Sequence, residues 1–184
     1  IRLAESTPLQ PPWPDLVISA GMRNEPVCRW IRERNSGKTR IVHIGRPWAS
    51  PERFDLVVTT PQYRLPQHAR VLHNHLTLNR VTPALLQEQA DHWRPRYRQL
   101  PPPYTGIILG GSSGPYTFGR NSARRLAAAA NRMAGGHGGS LLITTSARTP
   151  ASVVEQLRKD LAVPFDLFQW QPGVDENPYF GILA

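Results

Sequence analysis

The sequence predicts an α/β fold with two Rossmann-like halves, each built on a parallel β-sheet. Short runs of apolar and β-branched residues alternate with segments whose apolar residues recur at helical spacing. Several of these runs stop at glycine, serine or threonine, as buried parallel strands do at their carboxyl ends. Proline and glycine usage changes near residue 104, because the first 103 residues hold 14 of the 19 prolines and the remainder holds 11 of the 14 glycines. Strands that alternate with helices favour parallel sheets with covered faces.

The first half is predicted to begin with a buried strand at Leu16–Ile18, which runs into Ser-Ala-Gly. A helix at Pro26–Arg34 follows, because apolar residues recur there three and four positions apart. The remaining predicted elements are two β-branched strands, one strand with a loop, and a helix: Arg40–Ile44, Leu56–Thr59, Val71–Val81 and Pro83–Trp93. Breaks at Gly-Arg-Pro and Pro-Gln-Tyr separate the strands.

The second half repeats this plan more clearly. An alanine-rich helix is predicted at Asn121–Ala134, and Thr149 is the predicted N-cap of a second helix, with Pro150 at its first position. That helix is expected to end near Leu161. The predicted strands and the loop between the first strand and the first helix are Gly106–Leu109, Gly110–Gly119, Leu141–Ile143 and Phe165–Trp170.

The change in composition sets the predicted domain boundary. Residues 1–93 form the first half, residues 94–103 an arginine- and proline-rich linker, and residues 104–184 the second half. Both ends are expected to be incomplete. The chain opens in a proline-rich loop, and residues 179–184 are typical of the start of a helix.

Composition and charge narrow the function classes. A hydrophobic content of 40% supports a folded core, and a single cysteine, Cys28, argues against a disulfide framework and for a reducing compartment. No secretion signal or membrane-spanning run is present, so we expect a soluble, cytoplasmic protein. The net charge of +9 lies mainly in the first 103 residues, with 15 Lys or Arg against 8 Asp or Glu. Such an excess suits phosphate-bearing ligands or an anionic membrane. Scattered charges make nucleic acid an unlikely partner.

The sharpest chemical signal is the glycine- and serine-rich loop that follows the strand Gly106–Leu109. Such a loop before a helix exposes backbone amides to an anion, and the helix dipole adds positive potential. Glycine permits a phosphate to approach closely. Neither a Walker loop nor a GxGxxG motif is present, and an ordinary tight βα turn is the alternative. The predicted diphosphate-binding residues of this loop are Gly110, Gly111, Ser112, Ser113 and Gly114.

A second predicted ligand segment follows the next strand. Thr144, Thr145, Ser146 and Arg148 lie at its carboxyl end, the edge of an open α/β sheet where ligands bind. Three hydroxyls and a guanidinium suit a phosphate or a ribose. Helix capping by the hydroxyls is the alternative.

The first half contributes loops after its own strands. They are expected to face a cleft, and their arginines to receive an anionic substrate, unless these are ordinary solvated surface residues. The residues concerned are Gly21, Arg23, Arg46, Gln62, Tyr63 and Arg64.

The histidines predict no metal site. His73 and His75 alternate as a metal pair can, but no third ligand is spaced to complete a tetrahedral set. His43 lies on a buried strand and is expected to be a satisfied core residue. The sequence has no Gly-x-Ser-x-Gly elbow, so no catalytic residue is assigned and no cofactor is predicted.

The chain resembles the plant elongated-mitochondria fission factor family and its bacterial relatives. The plant members of that family are implicated in mitochondrial division. The matching segments run in order along nearly the whole chain: Pro12–Gly21, Ile44–Pro47, Phe54–Tyr63, Leu109–Ser112, Thr144–Ser146, Arg148–Pro150 and Asn177–Tyr179.

The second half is also similar to the donor domain of GT-B glycosyltransferases. That resemblance implies that the first half is the acceptor side and the second half the donor side, and that Gly110, Gly111, Ser112 and Gly114 meet the donor diphosphate. It further implies a metal-independent glycosyltransferase, or a degenerate relative that still binds a nucleotide sugar, with a general base from the first half. The alternative is a non-catalytic adaptor that recruits a protein partner or an anionic membrane surface. A Rossmann oxidoreductase or epimerase is disfavoured by the missing GxGxxG motif.

Overall fold

The structure is a computed structural model that describes residues 8–184. It divides into two compact units, unit 1 (Ile1–Asn79) and unit 2 (Arg80–Ala184). Each unit contains a parallel sheet with helices, which confirms the predicted α/β class with two Rossmann-like halves. None of the helices within residues 8–184 combines the length and the apolar character needed to span a bilayer.

Unit 1 is a four-stranded parallel sheet in the order β1-β2-β3-β4. One α-helix, α1, joins the first two strands, and short 3-10 turns at Met22–Asn24, Pro51–Arg53 and Pro61–Tyr63 lie in the connections. The elements are β1 (Leu16–Ala20), α1 (Glu25–Arg34), β2 (Arg40–Ile44), β3 (Leu56–Thr59) and β4 (Val71–His73).

The core of unit 1 lies under the two middle strands. Ile41 on β2 and Val57 on β3 are fully buried, and Phe54 and Cys28 pack with them. Residues on these strands alternate between buried and partly exposed positions, as the period of two in a strand requires.

Unit 2 contains a three-stranded parallel sheet in the order β5-β6-β7 with helices on both faces. The elements are α2 (Pro83–Tyr97), β5 (Tyr104–Ile108), α3 (Arg120–Gly135), β6 (Ser140–Thr144), α4 (Ala151–Asp160), β7 (Phe165–Phe168) and α5 (Tyr179–Leu183). Every residue of β6 is buried, because Leu141 and Ile143 pack with α3 and α4 while Leu142 packs with α2 and α5. A continuous apolar run is typical of such a doubly covered strand.

The boundary between the units differs from the predicted linker at 94–103. Helix α2 continues through Pro95 to Tyr97 and belongs to unit 2. Trp93 and Tyr97, four residues apart on one helix face, are buried against Leu142. Arg96 on the same helix also forms a two-point ion pair with Asp166 of β7, at 2.8 and 2.9 Å. Arg94, Pro95 and Arg96, which favoured a linker, therefore belong to the last turn of a helix that its apolar face holds against the sheet.

Candidate functional site

The glycine-rich turn after β5 leads into α3 by a compact path. The backbone N–H of Leu109 donates to the carbonyl oxygen of Thr144 at 2.8 Å, which holds the start of the turn beside β6. Ser113 and Tyr116 exchange backbone hydrogen bonds, at 3.0 and 3.1 Å. The Ser112 hydroxyl accepts from the N–H of Phe118 at 2.9 Å, so this side chain closes the loop.

Four of the five predicted anion-binding amides are available. Within residues 8–184, the N–H groups of Gly110, Gly111, Ser112 and Gly114 donate to no protein acceptor, whereas that of Ser113 is used. We call the segment 110–114 the glycine turn.

The amino terminus of α3 adds to the positive potential near the glycine turn. Gly119 occupies the N-cap position without a side-chain cap, and the first turn of the helix has no acidic residue. The first amides of an uncapped helix carry partial positive charge. The segment 110–120 therefore combines free amides with an uncompensated helix dipole.

Thr149 fixes the glycine turn from the opposite side. Its hydroxyl donates to the carbonyl oxygen of Gly110 at 2.7 Å and accepts from the N–H of Ser146 at 3.0 Å. Gly111 lies so close to the 146–149 turn that a Cβ there would overlap with the carbonyl oxygen of Arg148. The two predicted ligand segments therefore lie side by side, and Gly111 is required by that contact.

Arg148 supplies a positive side chain beside the turn. One of its terminal nitrogens lies 3.8 Å from the position of a Cβ on Gly110. The Arg148 side chain is exposed and pairs with no carboxylate in the described part of the chain, whereas Arg120 at the start of α3 is paired with Glu155 at 3.2 Å. Of Arg148 and Arg120, Arg148 is therefore the one whose guanidinium is unpaired beside the glycine turn.

The three predicted hydroxyls of the second segment are occupied within the protein. The buried Thr144 hydroxyl donates to the side-chain oxygen of Asn177 at 3.3 Å, and that of Thr145 accepts from the N–H of Trp170 at 2.8 Å. The Ser146 hydroxyl accepts from the N–H of Arg148 at 3.3 Å. These hydroxyls stabilise the turn, and Arg148 is the exposed residue among the four predicted for this segment.

The predicted capping role of Thr149 is corrected by the structure. Helix α4 begins at Ala151, Pro150 occupies the N-cap position, and no side chain caps the helix. Thr149 therefore precedes the N-cap position, and its hydroxyl instead donates to the glycine turn and accepts from the N–H of Ser146. Sequence reasoning therefore missed the residue that joins the two segments, since Thr before Pro is equally typical of a cap.

The loops of unit 1 bring two of the six predicted residues to one cavity. Gly21 and Tyr63 line a cavity of about 220 Å³ at the carboxyl edge of β1, β2 and β3. The other four predicted residues are exposed, and none of them lines it: Arg23, Arg46, Gln62 and Arg64. The residues around this cavity thus give no anion-binding cluster.

His43 and Glu25 are buried polar residues beneath this edge. His43 is fully buried, with its Nδ1 3.1 Å from the Ser19 hydroxyl, and its Nε2 has no partner in residues 8–184. Burial lowers the pKa of His43, and the negative charge of Glu25 opposes that shift. Glu25 accepts from the N–H groups of Trp48 and Ala49, at 2.6 and 3.1 Å, and so holds the loop after β2. This role could not be predicted from the sequence, because an acidic residue in the first turn of a helix is common.

Comparison with known proteins agrees with the motifs. The family model described as mitochondrial fission ELM1 matches residues 1–184. The mitochondrial fission protein ELM1 of Arabidopsis thaliana is 27% identical over 194 aligned residues, which cover 93% of this chain and 45% of the plant protein. The chain therefore spans about half the length of this relative. No solved structure matches the chain.

Proposed function

The chain belongs to the mitochondrial fission ELM1 family, and from that premise we propose that unit 2 binds the diphosphate of a nucleotide sugar at the glycine turn. The observation that carries the proposal is the set of four free amides at residues 110, 111, 112 and 114, beside an uncapped helix. Oriented backbone amides and a helix amino terminus form an anion site together. Arg148 would add a charge-assisted hydrogen bond to a phosphate oxygen.

We further propose a GT-B-type, metal-independent glycosyltransferase, or a degenerate relative that keeps only the binding step. In a transferase, the same amides and Arg148 would stabilise the departing diphosphate as its charge develops. In a degenerate relative they would retain the ligand without turnover. Cytoplasmic location stays a prediction.

Isothermal titration with UDP, GDP and their sugars tests the proposal. Replacing Arg148 with Gln should weaken binding about 10- to 100-fold, because a hydrogen bond to a charged group contributes about 1.5–3 kcal/mol. Arg132→Gln is the matched control. It removes the same charge from the other end of α3, about 18 Å along the helix, and should leave the affinity unchanged. Failure of every nucleotide and of inorganic pyrophosphate to bind the unsubstituted protein would contradict the proposal.

A second candidate function is a non-catalytic adaptor that engages a protein partner or an anionic membrane surface through unit 1. It is favoured by Arg23, Arg46 and Arg64, which are exposed and form no ion pair within residues 8–184. An adaptor of this kind should bind phosphatidylserine vesicles in a salt-sensitive manner, because exposed charges are screened by salt. Arg148→Gln should not affect that binding.

A further inference from the structure

Unit 1 contains a cavity that is chemically unlike the glycine turn. It has a volume of about 220 Å³ and opens where β1, β2 and β3 end, the edge of an open α/β sheet at which ligands bind. None of the described residues that line it carries a charge. The cavity therefore offers no oppositely charged side chain to an ionised ligand, although unit 1 is rich in arginine.

The walls of the cavity combine apolar faces with neutral hydrogen-bonding groups. Ile44 lies at the strand end, Leu76 and Leu78 come from the segment after β4, and the Tyr63 ring lies 3.8 Å from the position of a Cβ on Gly45. Asn74 and Thr77 also line the cavity, and the side chain of each can donate and accept hydrogen bonds.

Two buried threonines behind these walls lack partners. Thr59 is 1% exposed and Thr60 is 8% exposed, and the hydroxyl oxygen of each has no hydrogen-bond partner within residues 8–184. A buried polar group without a partner is costly, and such groups in native proteins call for an explanation. Both residues line the cavity. Because their oxygen atoms are closed off from solvent, a ligand reaches them after the side chain turns about χ1.

We propose that this cavity is a binding site for a compact, uncharged ring that carries hydrogen-bonding groups along one edge. No described residue of the lining carries a charged side chain, which favours an uncharged ligand over a phosphate or a carboxylate, and the apolar walls fit the faces of a ring. The volume lies below the 300–1,000 Å³ typical of sites for larger ligands, so a single ring fits. The base of a nucleoside and a free monosaccharide share this chemistry. The site does not depend on the anion site proposed for unit 2.

The proposal is tested by titrating the protein with two sets of neutral probes and measuring their binding by saturation-transfer NMR and calorimetry. One set contains adenosine, guanosine, cytidine and uridine, and the other contains glucose, galactose and N-acetylglucosamine. Binding in either set supports the site and identifies the source of the ring. Absence of binding by every probe at millimolar concentration overturns it, and so does binding that Arg148→Gln abolishes, since the probe would then occupy unit 2.

Two valine substitutions separate binding from folding. Thr60→Val keeps the shape of the side chain and removes the unpartnered hydroxyl. It should therefore leave the melting temperature unchanged or raised, while the affinity for the probe decreases about threefold to tenfold. Thr39→Val is the control. The Thr39 hydroxyl donates to the carbonyl oxygen of Pro14 at 2.7 Å and accepts from Asn35 at 2.9 Å, so its loss should lower the melting temperature without changing affinity. Unchanged affinity in Thr60→Val would overturn the assignment.

Discussion

Replacing Gly111 with Ala should destabilise unit 2, while the same replacement at the adjacent Gly110 should not. A Cβ at position 111 would overlap with a backbone oxygen, that of Arg148, which cannot swing away as a side chain can. The turn is also held in place by the bond from the Thr149 hydroxyl to the Gly110 carbonyl oxygen. Forcing extra volume into such a contact costs about 1–3 kcal/mol.

At position 110 the nearest atom to a new Cβ is the terminal nitrogen of Arg148, at 3.8 Å, and the backbone is not left-handed. Gly-to-Ala replacement at a compatible position stabilises a protein by about 0.4–1 kcal/mol, because it restricts the unfolded chain. The free energies of unfolding of the two variants should therefore differ by about 1.5–4 kcal/mol. For a unit of about 100 residues this corresponds to a difference in Tm of at least about 6 °C.

Thermal and urea unfolding followed by circular dichroism measure this difference, and nucleotide titration completes the comparison. Gly110→Ala should retain the fold but weaken nucleotide binding, because the methyl group narrows the approach to the free amides. Equal stabilities of the two variants would refute the contact between Gly111 and the Arg148 carbonyl. Full nucleotide affinity in Gly110→Ala would instead refute the role of the glycine turn in binding.

Three further predictions concern the polar side chains of Thr149, Tyr97 and His43. Thr149→Val should lower the free energy of unfolding by about 1–3 kcal/mol, measured by urea unfolding, since the Gly110 carbonyl oxygen and the Ser146 N–H lose their partner. Burial raises the pKa of Tyr97 to about 12, so the free energy of unfolding should decrease as pH rises from about 10 through 12. Tyr97→Phe should remove this decrease without destabilising the protein at pH 7, since the hydroxyl has no hydrogen-bond partner within residues 8–184. Absorbance titration of the tyrosines at alkaline pH checks the raised pKa. Because the pKa of His43 is lowered in the folded protein, His43 binds a proton at a higher pH in the unfolded chain than in the folded one. As pH decreases below about 6.5, the free energy of unfolding should therefore decrease by at most about 1.4 kcal/mol per pH unit. His43→Gln should remove this contribution, as measured by unfolding at a series of pH values.

The elements that the sequence predicted well are those decided by local pattern. The run around Leu141–Ile143 is apolar throughout, and the structure buries it on both faces. The alanine-rich helix was placed within one residue at each end, at Arg120–Gly135. In each case one segment of the chain contains the whole signal.

The features that the sequence could not predict depend on partners that are distant along the chain. The sequence does not show that the Thr144 hydroxyl donates to Asn177, or that the Thr145 hydroxyl accepts from the N–H of Trp170. Likewise, the helix α2 continues past Trp93 because its apolar face meets β6, about 45 residues further along the chain. Hydrogen-bond partners that are remote in the sequence leave no periodic trace, so residue type alone could not show which hydroxyls remain free.

Net charge and the proposed anion site point to different halves of the chain. The first half of the chain has most of the basic excess, yet the cavity of unit 1 is lined by neutral groups. An exposed arginine remains hydrated at little cost, and its field steers encounters over the whole surface. A bound anion instead requires donors that have no other acceptor and that converge at short range. In the proposed site at the glycine turn, such donors would be backbone amides without a protein acceptor and one arginine, in the half of the chain with the smaller basic excess. A low slope of affinity against salt concentration is therefore expected for nucleotide binding, and a steep one for vesicle binding through unit 1.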